Sequence, residues 1–165
     1  MRLLCMRHGA AASSGPYADA DRPLTPEGIE QIERAGRALE RLGLAPRVVL
    51  TSPAERCRHS ATLITAALGM KPDRIRIAAT GPAHLLQALT ALGAVEQVLV
   101  VGHEPDVAGL TSLLLSGSNG VQLHFRCSSV ACLEVDGLPP SRPASLVWFL
   151  DPGALRLLGR EGDAI

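Results

Sequence analysis

Short apolar, β-rich runs alternate along the chain with longer segments of helical period, a pattern that predicts an α/β architecture. Leu3 to Met6 forms the first expected strand, ended by Arg7-His8-Gly9. From Ala10 to about Arg22 the chain is rich in Gly, Ser and Ala around Pro16 and reads as a surface loop. Thr25 stands where a helix N-cap belongs and Pro26 at the first helical position. Ile29, Ile32, Ala35, Leu39 and Leu42 then recur at the spacing of one helix face.

The same unit then repeats. Val48-Val49-Leu50 predicts a strand and Thr51-Ser52 a turn. Pro53 is expected to open a helix that ends near Gly69, with Cys57, Ala61, Ile64 and Leu68 on its apolar stripe. A short strand near Ile75 to Ala78 leads through Gly81-Pro82 into a helix carrying Leu85, Leu86, Leu89 and Leu92. Val98 to Val101 is the most strand-like run. After Gly102-His103-Glu104, Pro105 opens a further helix through Leu110 to Leu115. Ser128 to Val135 and Ser145 to Leu150 predict two last strands joined by a Pro-rich turn. No repeat or linker interrupts this order, so residues 1–165 are expected to form a single domain.

Composition narrows the function classes. The 165 residues suit one substantial core, and 47% hydrophobic against 19% charged residues exclude general disorder. Sixteen basic and sixteen acidic residues cancel, which argues against a broad nucleic-acid binder. Tyr17, Phe125, Trp148 and Phe149 are too few for a base-stacking platform. Lys71 is the one lysine; the other basic residues are arginine, in keeping with a compositional bias that also enriches Ala, Gly and Pro. No run approaches the ~18 to 20 apolar residues that span a bilayer. The start, Met1 to Arg7, lacks the apolar core of a signal peptide. A cytoplasmic protein without membrane contact is therefore expected. Cys5, Cys57, Cys127 and Cys132 are scattered, form no C-x-x-C pair, and read as reduced structural thiols.

Parallel strands of βα units send their C-terminal ends to one edge of the sheet, where open α/β folds bind ligands. Arg7-His8, Arg56 and His103 all fall at such ends, so two arginines and two histidines are expected to converge without any carboxylate being required there. That set suits a phosphoryl group, because guanidinium groups bind its oxygens bidentately and the helix N-termini after Pro53 and Pro105 add backbone donors. Imidazole can attack phosphorus as a covalent nucleophile, with the surrounding cations stabilising the equatorial oxygens. Such a site requires no metal and no cofactor. Zinc bound by His8, His103 and Glu104 would be repelled by the two arginines. Gly102 and Gly109 do not complete a dinucleotide fingerprint.

These residues give the chain its resemblance to the histidine phosphatase superfamily, whose mark is Arg-His-Gly at the end of the first strand. Here it stands as Arg7-His8-Gly9, followed in order by Arg22-Pro23-Leu24-Thr25-Pro26-Glu27-Gly28, Thr51-Ser52-Pro53-Ala54-Glu55-Arg56-Cys57 and Val100-Val101-Gly102-His103-Glu104-Pro105. Short length and the early Arg-Pro-Leu-Thr segment make it most similar to the SixA-type protein-histidine phosphatases. The resemblance implies a phosphoglycerate mutase-like, three-layer α/β/α sandwich with a mostly parallel central sheet. It implies His8 as nucleophile and Arg7, Arg56 and His103 as phosphate-binding residues.

Ester-cleaving members of that family usually carry an acid after the third strand. The stretch Ala78 to Leu86 contains no carboxylate. A phosphorylated imidazole departs more readily than an alkoxide, so phosphohistidine is the expected substrate. Glu104 has two open roles, a catalytic acid or a carboxylate stabilising the following helix N-terminus. Asp19 and Asp21 lie in the long loop and could swing over the site. His59, His84 and His124 read as structural or surface residues. The expected activity is hydrolysis of a phosphoryl group, with a phosphorylated histidine-containing phosphotransfer protein or a small phosphorylated compound as partner. A phosphatase or mutase acting on a small phosphate ester, and a non-hydrolysing phosphate-binding module, are the alternatives.

Overall fold

Six strands and five α-helices make up residues 1–160, the part of the chain that this computed structural model describes. In order they are β1 (Arg2–Arg7), α1 (Pro26–Arg41), β2 (Val48–Thr51), α2 (Glu55–Ala67), β3 (Ile75–Ile77), α3 (Pro82–Ala91), β4 (Gln97–Gly102), α4 (Asp106–Ser116), β5 (Val130–Glu134), β6 (Ser145–Leu150) and α5 (Pro152–Leu158). Of the expected domain over 1–165, residues 161–165 lie outside those described. No helix among the described residues is long and apolar enough to cross a membrane.

One sheet has the strand order β3-β2-β4-β1-β5-β6. β1, β4, β2 and β3 pair in parallel, and β5 runs antiparallel to both of its neighbours. The register sets Arg7 beside Gly102 and Thr51 beside Val101, which brings the C-terminal ends of β1, β2 and β4 to one edge.

The inner strands β1, β2, β4 and β5 read as apolar runs because both sheet faces are covered there. Leu3, Cys5, Val98 and Val100 point to a core closed by Leu85 and Leu89 of α3 and Val107, Leu110 and Leu114 of α4. Leu4, Met6, Leu99 and Val101 point to the opposite core, closed by Ile32 and Leu39 of α1, Ile64 of α2 and Leu155 of α5. The result is the expected three-layer α/β/α sandwich. A fully buried leucine such as Leu3 or Leu99 contributes about 1.5 to 3 kcal/mol relative to an exposed one.

The predicted cap of α1 forms: Thr25 Oγ1 accepts from the Gly28 N–H at 3.0 Å, with Pro26 at the first position. Leu42, expected on the apolar face, sits at the C-cap and is exposed. α2 begins at Glu55 and not at Pro53, because the Ala54 N–H donates to Ser52 Oγ at 3.3 Å and holds the chain in a turn. Hydrophobic periodicity is silent on α5, which is too short to show it. Its start is nonetheless written in Asp151-Pro152, where Asp151 Oδ1 accepts from the Ala154 N–H at 2.8 Å.

Candidate active site

β1 delivers Arg7 and His8 to the sheet edge, and the segment that follows is fixed tightly. The His8 N–H donates to the Gly102 carbonyl at 3.0 Å, tying the end of β1 to the end of β4. The Gly9 N–H donates to Ser60 Oγ of α2 at 3.2 Å, and the Ala10 N–H to Gln31 Oε1 of α1 at 3.0 Å. This clamping needs glycine at two places. A Cβ on Gly28 would lie 1.9 Å from the Ala10 carbonyl oxygen, and one on Gly9 would lie 2.5 Å from the Gly28 carbonyl oxygen.

His8 is buried, and its Nδ1 lies 2.7 Å from the Gly9 carbonyl oxygen. A carbonyl only accepts, so Nδ1 carries the hydrogen and Nε2 keeps a free lone pair. Burial is the main cause that drives the His8 pKa down to about 4; the Gly9 bond opposes it, while His103, Arg56 and Arg7 add to it. The ring is therefore neutral at physiological pH. His103, from the turn after β4, faces it edge-on with ring centroids 5.4 Å apart.

His103 is oriented by three contacts. Arg56 Nη2 donates to Nδ1 at 3.3 Å, Nε2 lies 2.7 Å from Ser52 Oγ, and Cys57 Sγ packs against the ring at 3.5 Å from Nε2. Because the guanidinium only donates, Nε2 carries the hydrogen of the neutral ring. Desolvation first, then Arg56, lowers the His103 pKa. Burial pushes the Cys57 thiol up to about 12, so it packs as a neutral side chain. All four cysteines are free, as expected; Cys5, Cys57 and Cys132 are buried and Cys127 is partly exposed.

The two arginines differ in their commitments. Arg7 Nη1 donates to the Phe125 carbonyl at 2.7 Å, while its Nε is buried without a partner. Arg56, only 6% exposed, uses Nη1 on the Asp19 carbonyl oxygen and Nη2 on Asp19 Oδ2 at 3.0 Å.

These side chains line a pocket of about 490 Å³ together with Asp19, Arg22, Thr80, Glu104 and Asp106. All four residues expected at the site are thus brought together. Three carboxylates join them, where the strand-end residues alone required none. Asp19 crosses from the loop to bond Arg56 and Arg22. Glu104 and Asp106 come from the turn into α4. Asp21 is not part of the lining, and His59 and His84 lie elsewhere.

Sequence reasoning assigns no role to Arg22, Thr80 or Asp106. For Arg22 the signal was its place at the head of Arg-Pro-Leu-Thr. His124 lines a second groove that meets the pocket at Glu104. Among the described residues, no group of three or more His, Cys, Asp or Glu is placed to hold a metal ion.

A cleft that offers arginine donors and an unprotonated imidazole nitrogen can bind a phosphoryl group and accept it covalently. Comparisons with known proteins identify the family. The family model for the histidine phosphatase superfamily (branch 1) matches residues 3–76. An uncharacterized protein of Picosynechococcus sp. is 33% identical over 142 residues, covering 81% of this chain and 85% of its own. An uncharacterized protein of Mycobacterium tuberculosis is 34% identical over 165 residues, covering 93% and 97%.

The solved structure of the protein histidine phosphatase SixA complexed with tungstate superposes with a TM-score of 0.82 at 26% identity, covering 94% of this chain and 99% of that one. The alpha-ribazole phosphatase of Shigella flexneri, at TM-score 0.67 and 17% identity over 88% of this chain and 94% of its own, shares the phosphoglycerate mutase-like fold. This chain belongs to the histidine phosphatase superfamily and is a phosphatase.

Proposed function

We propose that this phosphatase works in the cytoplasm and hydrolyses phosphohistidine in a protein by way of a covalent phosphohistidine on His8. The observation that carries the mechanism is the 2.7 Å contact from His8 Nδ1 to the Gly9 carbonyl, which leaves Nε2 as the free nucleophilic nitrogen. In the first step the Nε2 lone pair forms a bond to phosphorus. The bond from phosphorus to the substrate breaks, and its electron pair stays with the leaving group, which gains a proton. In the second step water attacks phosphorus and gives up a proton, the phosphorus–Nε2 pair returns to His8, and orthophosphate departs.

Arg7 and Arg56 act in both steps by binding the equatorial oxygens, where the transition state spreads its negative charge, and His103 donates to them once Arg56 has turned to the phosphoryl group and Nδ1 has taken up a proton. Arg56 exchanges Asp19 for the phosphoryl group as substrate enters.

Two features support a phosphorylated histidine as substrate, and a phosphotransfer protein as the partner that carries it. SixA, a protein histidine phosphatase, is similar over nearly the whole chain. The segment after β3 adds only Thr80 to the pocket, and no carboxylate. A small phosphate ester is the second reading, favoured by the carboxyl groups of Glu104 and Asp106 in the same lining.

A comparison of kcat/KM for a phosphohistidine peptide, p-nitrophenyl phosphate and sugar phosphates tests the substrate class. The proposal expects the peptide to be preferred, and a strong preference for the esters would overturn it.

A further inference from the structure

The residues just ahead of β5 grip the end of β1. The Arg7 N–H donates to the Ser129 carbonyl at 3.1 Å, and the Ser128 N–H donates to two carbonyls, Arg7 at 3.2 Å and His8 at 3.1 Å. Ser128 and Ser129 thus face the single residue Arg7, the arrangement of a β-bulge, a device that re-aims side chains and ends strand pairing beside active sites. Up to Met6, paired with Val130, the ladder is regular; at the bulge it stops.

The bulge is made by a backbone conformation that serine resists. Arg126 to Ser129 form a turn closed by the Ser129 N–H on the Arg126 carbonyl at 2.9 Å, and Ser128, its third residue, has a φ of 68°. A turn with positive φ at that position ordinarily takes Gly or Asn there. Among the described residues Ser128 is the one residue other than glycine with a positive φ. It is buried, and it is not part of the phosphoryl pocket lining. Strain of this kind persists only where the surroundings over-determine it, and it gathers at functional sites.

We infer that Ser128 is a positioning residue for phosphoryl transfer, a role that rests on the reading of His8 as acceptor. Its left-handed backbone aims one N–H at the carbonyls of Arg7 and His8 and so fixes the peptide that carries the nucleophile. An extended Ser128 could not close the turn, and its N–H would leave both carbonyls. The His8 ring would then lose the fixed direction in which Nε2 meets phosphorus. The role belongs to the backbone of Ser128 and not to its hydroxyl.

Three variants separate the two. Ser128→Gly and Ser128→Asn accept the left-handed region without the hydroxyl, whereas Ser128→Thr keeps the hydroxyl and its β-branch disfavours that region. Asn and Thr both enlarge a side chain that borders the cleft lined by Ala10, Gln31 and Arg126, so an effect of size alone would appear in both.

Each protein is mixed with ³²P-labelled phosphohistidine peptide or p-nitrophenyl phosphate and quenched, and the rate of labelling on His8 is read beside KM and the melting temperature. Ser128→Gly and Ser128→Asn should keep at least about a third of the wild-type rate. Ser128→Thr should label about 10- to 100-fold more slowly, the scale of an ångström-sized misplacement. Its KM should change less than about threefold, because Arg56 is carried by α2 and not by this turn. Should Ser128→Thr not fold, Ser128→Gln replaces it: it has the amide of Asn without the tolerance of the left-handed region, and should label at least about threefold more slowly than Ser128→Asn. A Ser128→Thr protein that melts lower yet labels His8 at the wild-type rate would overturn the positioning role, as would losses in Ser128→Gly and Ser128→Asn equal to that in Ser128→Thr. No label on wild-type His8 from either substrate would reject His8 as acceptor and the role of Ser128 with it, whereas label at equal rates in all variants would reject Ser128 alone.

Discussion

Arg56 Nη2 donates to Asp19 Oδ2 at 3.0 Å, so a carboxylate from the surface loop occupies part of the guanidinium that the proposed mechanism assigns to phosphate. The Asp19 carboxyl is held below its ordinary pKa by Arg22 and then by Arg56, and stays ionised wherever the enzyme works. Phosphate and Asp19 therefore compete. Asp19→Asn should lower the inhibition constant of orthophosphate or vanadate about two- to fivefold, the scale of an exposed ion pair. Unchanged or weaker inhibition in a steady-state assay would show that Asp19 does not compete.

Acid stability depends on His8. Its pKa falls from the ordinary 6.5 to about 4 on folding, with burial as the main cause. Between those values the unfolded chain binds a proton that the folded chain does not, so stability is lost as pH drops through this window. The loss reaches at most about 3.5 kcal/mol at about 1.4 kcal/mol per unit. Urea midpoints measured from pH 7 to pH 4 should fall less steeply for His8→Asn than for wild type. Parallel slopes would contradict the buried neutral imidazole.

Close backbone approach at the start of α1 positions His8. Because a Cβ on Gly28 would meet the Ala10 carbonyl at 1.9 Å, Gly28→Ala must displace the segment that follows the nucleophile. The expected cost is about 1 to 3 kcal/mol of stability together with a fall in kcat. A melting temperature and kcat equal to wild type would show that the clamp is slack.

Ser52 holds the second histidine through the 2.7 Å contact to His103 Nε2. Ser52→Ala removes that partner and the turn bond to Ala54, leaving only Arg56 and Cys57 to orient the His103 ring. A hydrogen bond of about 1 kcal/mol corresponds to about a fivefold fall in kcat/KM, with the fold retained. The prediction fails if kcat/KM is unaltered while the protein melts at a lower temperature.

The fold and the core of the site were legible because both follow from local rules. Thr25-Pro26 specifies a capped start, the Val98 to Val101 run a buried strand, and parallel βα units carry Arg7, His8, Arg56 and His103 to one edge whatever their separation in sequence. What escaped the pattern depends on tertiary placement. Sequence reasoning lets Asp19 swing over the site but does not give its partner: it reaches Arg56 because the loop is drawn back by the Ala11–Leu24 bridge and by Arg22 Nε on the Ala12 carbonyl at 2.7 Å. Neither contact has a periodicity to betray it. Glu104 and Asp106 stand two residues apart, and only burial and the shape of the groove distinguish them. Phe125, from an irregular segment, is fully buried edge-on against Phe149 at 5.1 Å, and its carbonyl anchors Arg7.

The central claim is that His8 accepts the phosphoryl group, and trapping the intermediate tests it most directly. Wild-type enzyme mixed with a ³²P-labelled phosphohistidine peptide and quenched within milliseconds in base should carry acid-labile, base-stable label. Peptide mapping should place that label on His8, and His8→Ala should carry none and turn over no substrate. Label on another residue, or turnover by His8→Ala at the wild-type rate, would contradict the account.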